Sequence, residues 1–249
     1  MTTRQRGLLI TGTDTGVGKT FIACGLAGSL RRQGFRVAPF KPAETGCAPD
    51  PESQALIPAD AEMLRRATAT QATLETICPY RFRAPLAPWV AAELEGASID
   101  PQRLERCYRE LSGSHDFVLV ETAGGILVPL AENFHYADLA RLLHLPVLVV
   151  IGSKLGAINH TLLTLELLRS AGLTTVACVL NHPDREMDSA VATNEHTLRR
   201  LVRVPLYVVA NHMGGDWPWD NPGFDALASD VARCVDRLRS EPRASTPRR

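Results

Sequence analysis

Several signals are missing from this 249-residue sequence, and each absence closes off a class of protein. Positive and negative charge are in balance, with Lys+Arg 27 against Asp+Glu 27. Without a net basic field the chain has no general attraction for nucleic acid or anionic lipid, so neither is expected as a partner. No apolar run is long enough to cross a bilayer: LPVLVVIG is far too short, and the N-terminal MTTRQRGLLITG lacks a signal-peptide core. No cysteines are closely spaced; Cys24, Cys47, Cys78, Cys107, Cys178 and Cys234 are scattered, so they read as reduced thiols rather than a zinc knuckle or redox pair. The histidines show no metal-binding spacing, and no internal repeat is present. A cytoplasmic protein without membrane attachment is the expectation.

What remains is the composition of a folded globular chain, 45% hydrophobic and 22% charged, which excludes bulk disorder. The length allows one large α/β domain or two small ones, and the pattern favours one. Short runs rich in Val, Leu and Ile (GLLIT, RVAPF, DFVLVE, LPVLVVIG, TTVACVLN and VPLYVVA) recur along the chain, as expected of parallel strands covered on both faces. Helical stretches lie between them. Thr20 to Gln33 stops at Gly34, Asp100 and Pro101 open a helix ending near Gly113, and Asn159 to Ala171 stops at Gly172. The expected fold is α/β and P-loop NTPase-like, a mostly parallel sheet with helices on both faces, spanning 1–240. From 42 to 96 only a helix near Asp60 to Arg66 is legible, and PYRFRAPLAP has no assigning period. A last helix, about Phe224 to Arg239, precedes an expected disordered tail over 241–249.

The strongest chemical signal is GTDTGVGKT, Gly12 to Thr20, between a strand and a helix. A phosphate-binding loop needs amide N–H groups aimed at the anion, small residues that allow close approach, a Lys on the β/γ-phosphates and a hydroxyl for magnesium. Gly16, Val17 and Gly18 with Lys19 and Thr20 supply these, and Thr13 stands where the usual spacing has the first glycine. The alternative is a glycine-rich turn carrying a surface lysine.

Four other segments leave strand ends, where open α/β sheets bind ligands. In KPAETG, Lys41 could neutralise a transferring phosphoryl group and Thr45 could bond a substrate, or the segment is a solvated loop. In DFVLVETAGG, Glu121 ends the apolar run as a Walker-B-type metal candidate, or is an exposed terminal acid. GSKLGAINH leads into a helix whose free N–H groups near Asn159 could receive an anion, or Asn159 is only an N-cap beside a surface His. Asn181 offers a donor and an acceptor suited to a nucleobase edge, or simply precedes a turn. Asp60, at a helix start, reads by itself as an N-cap. WPW, at Trp217 to Trp219, reads as packing or loop closure.

GTDTGVGKT, KPAETG, ETAGGILVPL, KLGAINH and VLNHP, in this order over residues 7–210, resemble the dethiobiotin synthetases. The resemblance implies a homodimer with the site between subunits, and closure of a ureido ring on 7,8-diaminononanoate. Carbon dioxide first forms a carbamate with one amine, ATP phosphorylates the carbamate, and the second amine displaces phosphate. It further implies that Thr20, Asp60 and Glu121 hold magnesium and that Lys19 and Lys41 stabilise the phosphates and the carbamate. Thr15 and Thr45 would line the carbamate site, and Asn181 would meet adenine. Gly156, Ala157, Ile158 and Asn159 would receive the substrate carboxylate from the partner subunit. The chain departs from that pattern at Gly16, often acidic in the family, at Glu44, a small residue in some members, at Thr122, commonly glycine, and at Trp89, frequently histidine. Two further readings compete. A partition or membrane-switch ATPase would carry an additional lysine early in the loop, where Thr13, Asp14 and Thr15 stand, and a cobyrinic-acid-type amide synthase would need a glutaminase domain for which no residues remain.

Overall fold

The computed structural model describes residues 6–182, 189–210 and 217–240. The tail expected over 241–249 lies outside the described residues. Six strands form one sheet: β1 (Arg6–Gly12), β2 (Val37–Phe40), β3 (Phe117–Gly125), β4 (Val147–Gly152), β5 (Thr175–His182) and β6 (Leu206–Ala210). Their order is β6-β5-β4-β1-β3-β2, and every pairing is parallel. These are the six expected apolar runs, and the fold class is the expected one.

The continuous apolar character of the strands follows from burial on both faces. Leu8 and Ile10 enter one core and Leu9, between them, enters the other, the alternation that a period-2 backbone requires. On the first face pack α1 (Lys19–Arg32), α2 (Ala59–Thr68) through Leu64 and Ala67, and the C-terminal helix (Asp225–Ser240) through Leu227, Val231 and Val235. On the second pack the helices Pro101–Ser114, Tyr136–Leu142, Ala157–Ser170 and Ser189–Leu201, through residues such as Leu104, Leu139, Leu168 and Leu198. No helix among the described residues is long and apolar enough to cross a membrane.

WPW serves packing. Trp217 and Trp219 stack with ring centroids 4.8 Å apart. The Trp219 backbone lies so close to Gly28 of α1 that any side chain at that glycine would collide with it.

The segment 42–96, largely opaque in sequence, combines one long-range strand pairing, one small hairpin and short helices. Ala43–Thr45 pairs in parallel with Tyr80–Phe82, Ala48–Pro49 pairs with Leu56–Ile57, and Pro88–Leu94 forms a short helix with proline in its first turn. Three local expectations need correction. β3 continues through Glu121 to Gly125, so Glu121 lies within the strand rather than at its end. Its partner register shifts between Ile10 and Gly12, the irregularity that lets β3 run on past the end of regular pairing. The helix after β4 starts at Ala157 behind Gly156, whose φ is 90°, so Asn159 is inside the first turn and is not an N-cap. Asp60 is not an N-cap either, because Pro58 holds that position.

Candidate active site

The P-loop turns sharply from β1 into α1. Gly16 and Gly18 have φ of 73° and 88°, a region costly for any residue with a Cβ, and a Cβ on Gly18 would strike the Asn181 amide nitrogen. Val17 is buried against Gly12 and Gly152, which anchors the loop from behind. Its carbonyl accepts a hydrogen bond from Asn181 Nδ2 at 2.9 Å. Asn181 thus spends its donor on the loop, while its buried Oδ1 has no partner.

Lys19 reaches back over the loop, and its Nζ donates to the Asp14 carbonyl at 3.1 Å. Thr20, at the second position of α1, donates to Glu121 Oε1 at 2.8 Å. Lys41, carried to the sheet edge by β2, donates to the same Oε1 at 2.6 Å and to Asp60 Oδ2 at 2.8 Å. The Lys41 and Glu121 side chains are only 3% and 1% exposed, so this is a fully desolvated ion pair, whereas the Asp60 carboxylate opens to water at 43%.

These charges tune one another. Burial pulls the Lys41 pKa down, but the facing carboxylates of Glu121 and Asp60 outweigh it and leave the pKa raised, so Lys41 is a permanent cation. Lys19 is lowered, first by burial and also by the neighbouring Lys41, against the opposing pull of Glu121 and Asp60. Burial pushes Asp60 up, yet the Lys41 charge and the hydrogen bond from Lys41 hold it below its ordinary value.

One cleft of about 760 Å³ joins these groups. Thr15, Gly16, Gly18, Lys19, Thr20, Lys41, Thr45, Asp60 and Glu121 all line it, with Pro85 to Pro88 as an opposite wall. The solvated-loop reading of KPAETG and the exposed-acid reading of Glu121 therefore fail, since Lys41 and Glu121 are both buried at the heart of the site. Asn181 stands behind the loop. Gly156, Ala157, Ile158 and Asn159 do not line the cleft of their own chain; they open the next helix along the same edge, tied to the P-loop by the Lys154 Nζ–Asp14 Oδ2 pair at 2.7 Å.

The donors suit a hard divalent cation. Magnesium is commonly held by one or two carboxylates while retaining waters and substrate phosphates, and two carboxylates with a threonine hydroxyl match that pattern. Glu121 Oε2, buried and without a partner, is an oxygen awaiting a ligand. Among the described residues no group of three or more His, Cys, Asp or Glu could hold a metal alone, so waters and phosphate oxygens would complete the shell.

Sequence reasoning left the role of Glu44 open. It lines the cleft, but both its carboxylate oxygens are taken by backbone N–H groups of α2. Burial pushes its pKa up to about 7 despite the opposing pull of Lys41. Thr122, also unassigned, folds its buried hydroxyl onto the Gly124 carbonyl at 2.7 Å, within the end of β3 beyond Glu121. Neither interaction has a local sequence signature.

A family model described as an AAA domain matches residues 6–210. The ATP-dependent dethiobiotin synthetase BioD of Anaeromyxobacter sp. (strain Fw109-5) is 47% identical over 208 residues, 83% of this chain and 91% of that protein. The enzyme of the same name from Anaeromyxobacter dehalogenans (strain 2CP-1 / ATCC BAA-258) is 45% identical over 95% of this chain and 96% of its own length. Among solved structures, the septum site-determining protein MinD of Pyrococcus horikoshii OT3, complexed with Mg-ADP, superposes with a TM-score of 0.52 at 18% identity, covering 95% of this chain and 98% of its own. That likeness is one of fold.

Proposed function

The chain belongs to the dethiobiotin synthetase family, ATP-dependent ligases that form C–N bonds in biotin biosynthesis, and on that premise we propose how its residues divide the work of ring closure. The observation that carries the reading is the convergence of Lys19, Lys41, Thr20, Asp60 and Glu121 on one cleft. Two lysines there can neutralise a γ-phosphoryl group and an anionic acceptor that would repel each other in water.

The amides of Gly16, Val17 and Gly18 receive the phosphates at the N-terminus of α1, and Lys19 follows the β/γ oxygens. Thr20, Asp60 and Glu121 would hold magnesium, which would supply charge neutralisation on the phosphates. Lys41 and the hydroxyls of Thr15 and Thr45 hold the carbamate formed from carbon dioxide and one amine of 7,8-diaminononanoate. A carbamate oxygen takes the γ-phosphoryl group as the bond to ADP breaks. The second amine then attacks the carbon and releases phosphate, closing the ring. Asn181 Oδ1 is the acceptor left for the adenine amino group.

The substrate carboxylate meets Gly156, Ala157, Ile158 and Asn159 of a second copy of the chain. Leu155, 83% exposed, with exposed Leu162 and Leu163 on the following helix, gives that copy an apolar surface to cover. A cytoplasmic location belongs to the same reading.

Bicarbonate carrying heavy oxygen tests the chemistry. Phosphoryl transfer to the carbamate must place one labelled oxygen in released phosphate, read by mass spectrometry before label exchanges with water. Unlabelled phosphate accompanying labelled dethiobiotin would overturn the mixed-anhydride route.

A further inference from the structure

Glu44 is a buried acid with no assigned part in ring closure. It sits in the short strand Ala43–Thr45, fixed by parallel pairing to Tyr80–Phe82, and is 7% exposed. One of its oxygens accepts from the Asp60 backbone N–H at 2.9 Å and the other from the Ala61 N–H at 3.0 Å. The first N–H groups of a helix have no partner within it, and α2 begins behind Pro58, which makes no side-chain cap. Ala61 is completely buried, so water cannot serve its amide. Glu44 therefore caps α2 from outside the helix.

This contact acts on the residue that faces the chemistry. The backbone of Asp60 is held through its N–H by Glu44, while its carboxylate points to Lys41. The two buried acids of the cleft have separate tasks, and their oxygens show it: Glu44 has both engaged by amides, whereas Glu121 keeps Oε2 without a partner. We propose that Glu44 is a positioning residue that locks the first turn of α2 and so sets the Asp60 carboxylate against Lys41 and Thr20, without itself binding the cation. The inference rests on the reading of Asp60 as a magnesium ligand.

Manganese serves as the probe, because its binding to the full chain with a non-hydrolysable ATP analogue is read directly by electron paramagnetic resonance, apart from turnover. Outer partners of metal ligands typically govern affinity by about 10–100-fold, so Glu44→Ala should weaken manganese binding by about tenfold. Glu44→Gln retains one acceptor oxygen and should lose less. Affinity for ADP in EDTA should stay within about twofold of wild type in both, since the P-loop amides are untouched. In an Asp60→Asn background, Glu44→Ala should add less than about twofold, because a residue that acts through Asp60 has nothing left to position.

Unchanged manganese affinity in Glu44→Ala, or its full factor reappearing on top of Asp60→Asn, would overturn the proposal. Wild-type manganese affinity in Asp60→Asn alone would overturn the underlying metal reading and the proposal with it. If Glu44→Ala loses its cooperative melting transition, Glu44→Gln carries the same comparison alone and in the Asp60→Asn background, and wild-type affinity there refutes the role.

Discussion

Replacing Lys41 by methionine tests whether the centre of the site is a desolvated ion pair. The substitution keeps the approximate length of the side chain and removes its ammonium, which lies 2.6 Å from Glu121 Oε1. Both side chains are almost wholly out of water, so solvent does not replace the lost counter-charge, and Lys19 is the cation left facing Glu121. Removing one partner of a buried pair costs about 3–5 kcal/mol, because the other charge stays buried alone. The second partner, Asp60, is exposed enough for solvent to screen it, and its share is at most about 1 kcal/mol. For a domain of this size each kcal/mol moves the melting temperature by about 2–4 °C, so Lys41→Met should melt about 6–20 °C below wild type. The double variant Lys41→Met/Glu121→Gln removes both charges, and the introduced amide oxygen can still accept from the Thr20 hydroxyl. It should recover most of the loss, with a coupling of at least about 2 kcal/mol. Calorimetry and urea unfolding in EDTA, without nucleotide, give both numbers independently of catalysis. A Lys41→Met melting point within about 3 °C of wild type, or strictly additive single and double variants, would refute the reasoning.

Lys19→Ala should lower turnover by about 10²-fold or more while leaving the fold intact, since its ammonium holds a loop carbonyl and no core group; parallel rate and melting measurements check it. Glu44 is raised by burial to about 7 from an ordinary 4.5, so its contribution is present below pH 4.5 and is lost as pH rises through 7. Urea midpoints of the metal-free wild type should therefore decline against those of Glu44→Gln across that window, and a constant difference would contradict the burial argument. Mixing inactive Lys19→Ala with a variant blocked at Asn159 should restore about a quarter of wild-type turnover, because half the dimers are hybrids with one intact composite site each. No recovery would place both residues' sites in a single subunit.

Much of this architecture was legible because it is written in contiguous residues. A strand covered on both faces must be apolar without interruption, so VLVVI could be read as buried before its neighbours were known. Helix ends carry their own punctuation in Gly34, Asp100 with Pro101, and Gly172. The P-loop was legible for the same reason, since its amides, lysine and hydroxyl lie within nine residues from Gly12 to Thr20. The strands within 42–96 were not, because Ala43–Thr45 holds only by pairing with the distant Tyr80–Phe82, and the two-residue strands Ala48–Pro49 and Leu56–Ile57 are too short to show a period.

Asp60 shows where local reading stops. An acid near a helix start has two uses that look identical in sequence, as a cap for N–H groups or as a charge aimed elsewhere. What separates them is whether another group already serves those N–H groups, and here that group is Glu44, brought in from another segment of the chain. With the amides of Asp60 and Ala61 satisfied from outside, the Asp60 carboxylate is released to face Lys41, and Lys41 in turn compensates the buried charge of Glu121. A helix cap supplied from outside thus frees a side chain for the site. The same logic holds behind the P-loop, where the Asn181 donor steadies Val17 and its acceptor remains without a partner. In both places the group left over after structural bonds are satisfied is the one available for chemistry, and only the folded arrangement shows which group that is.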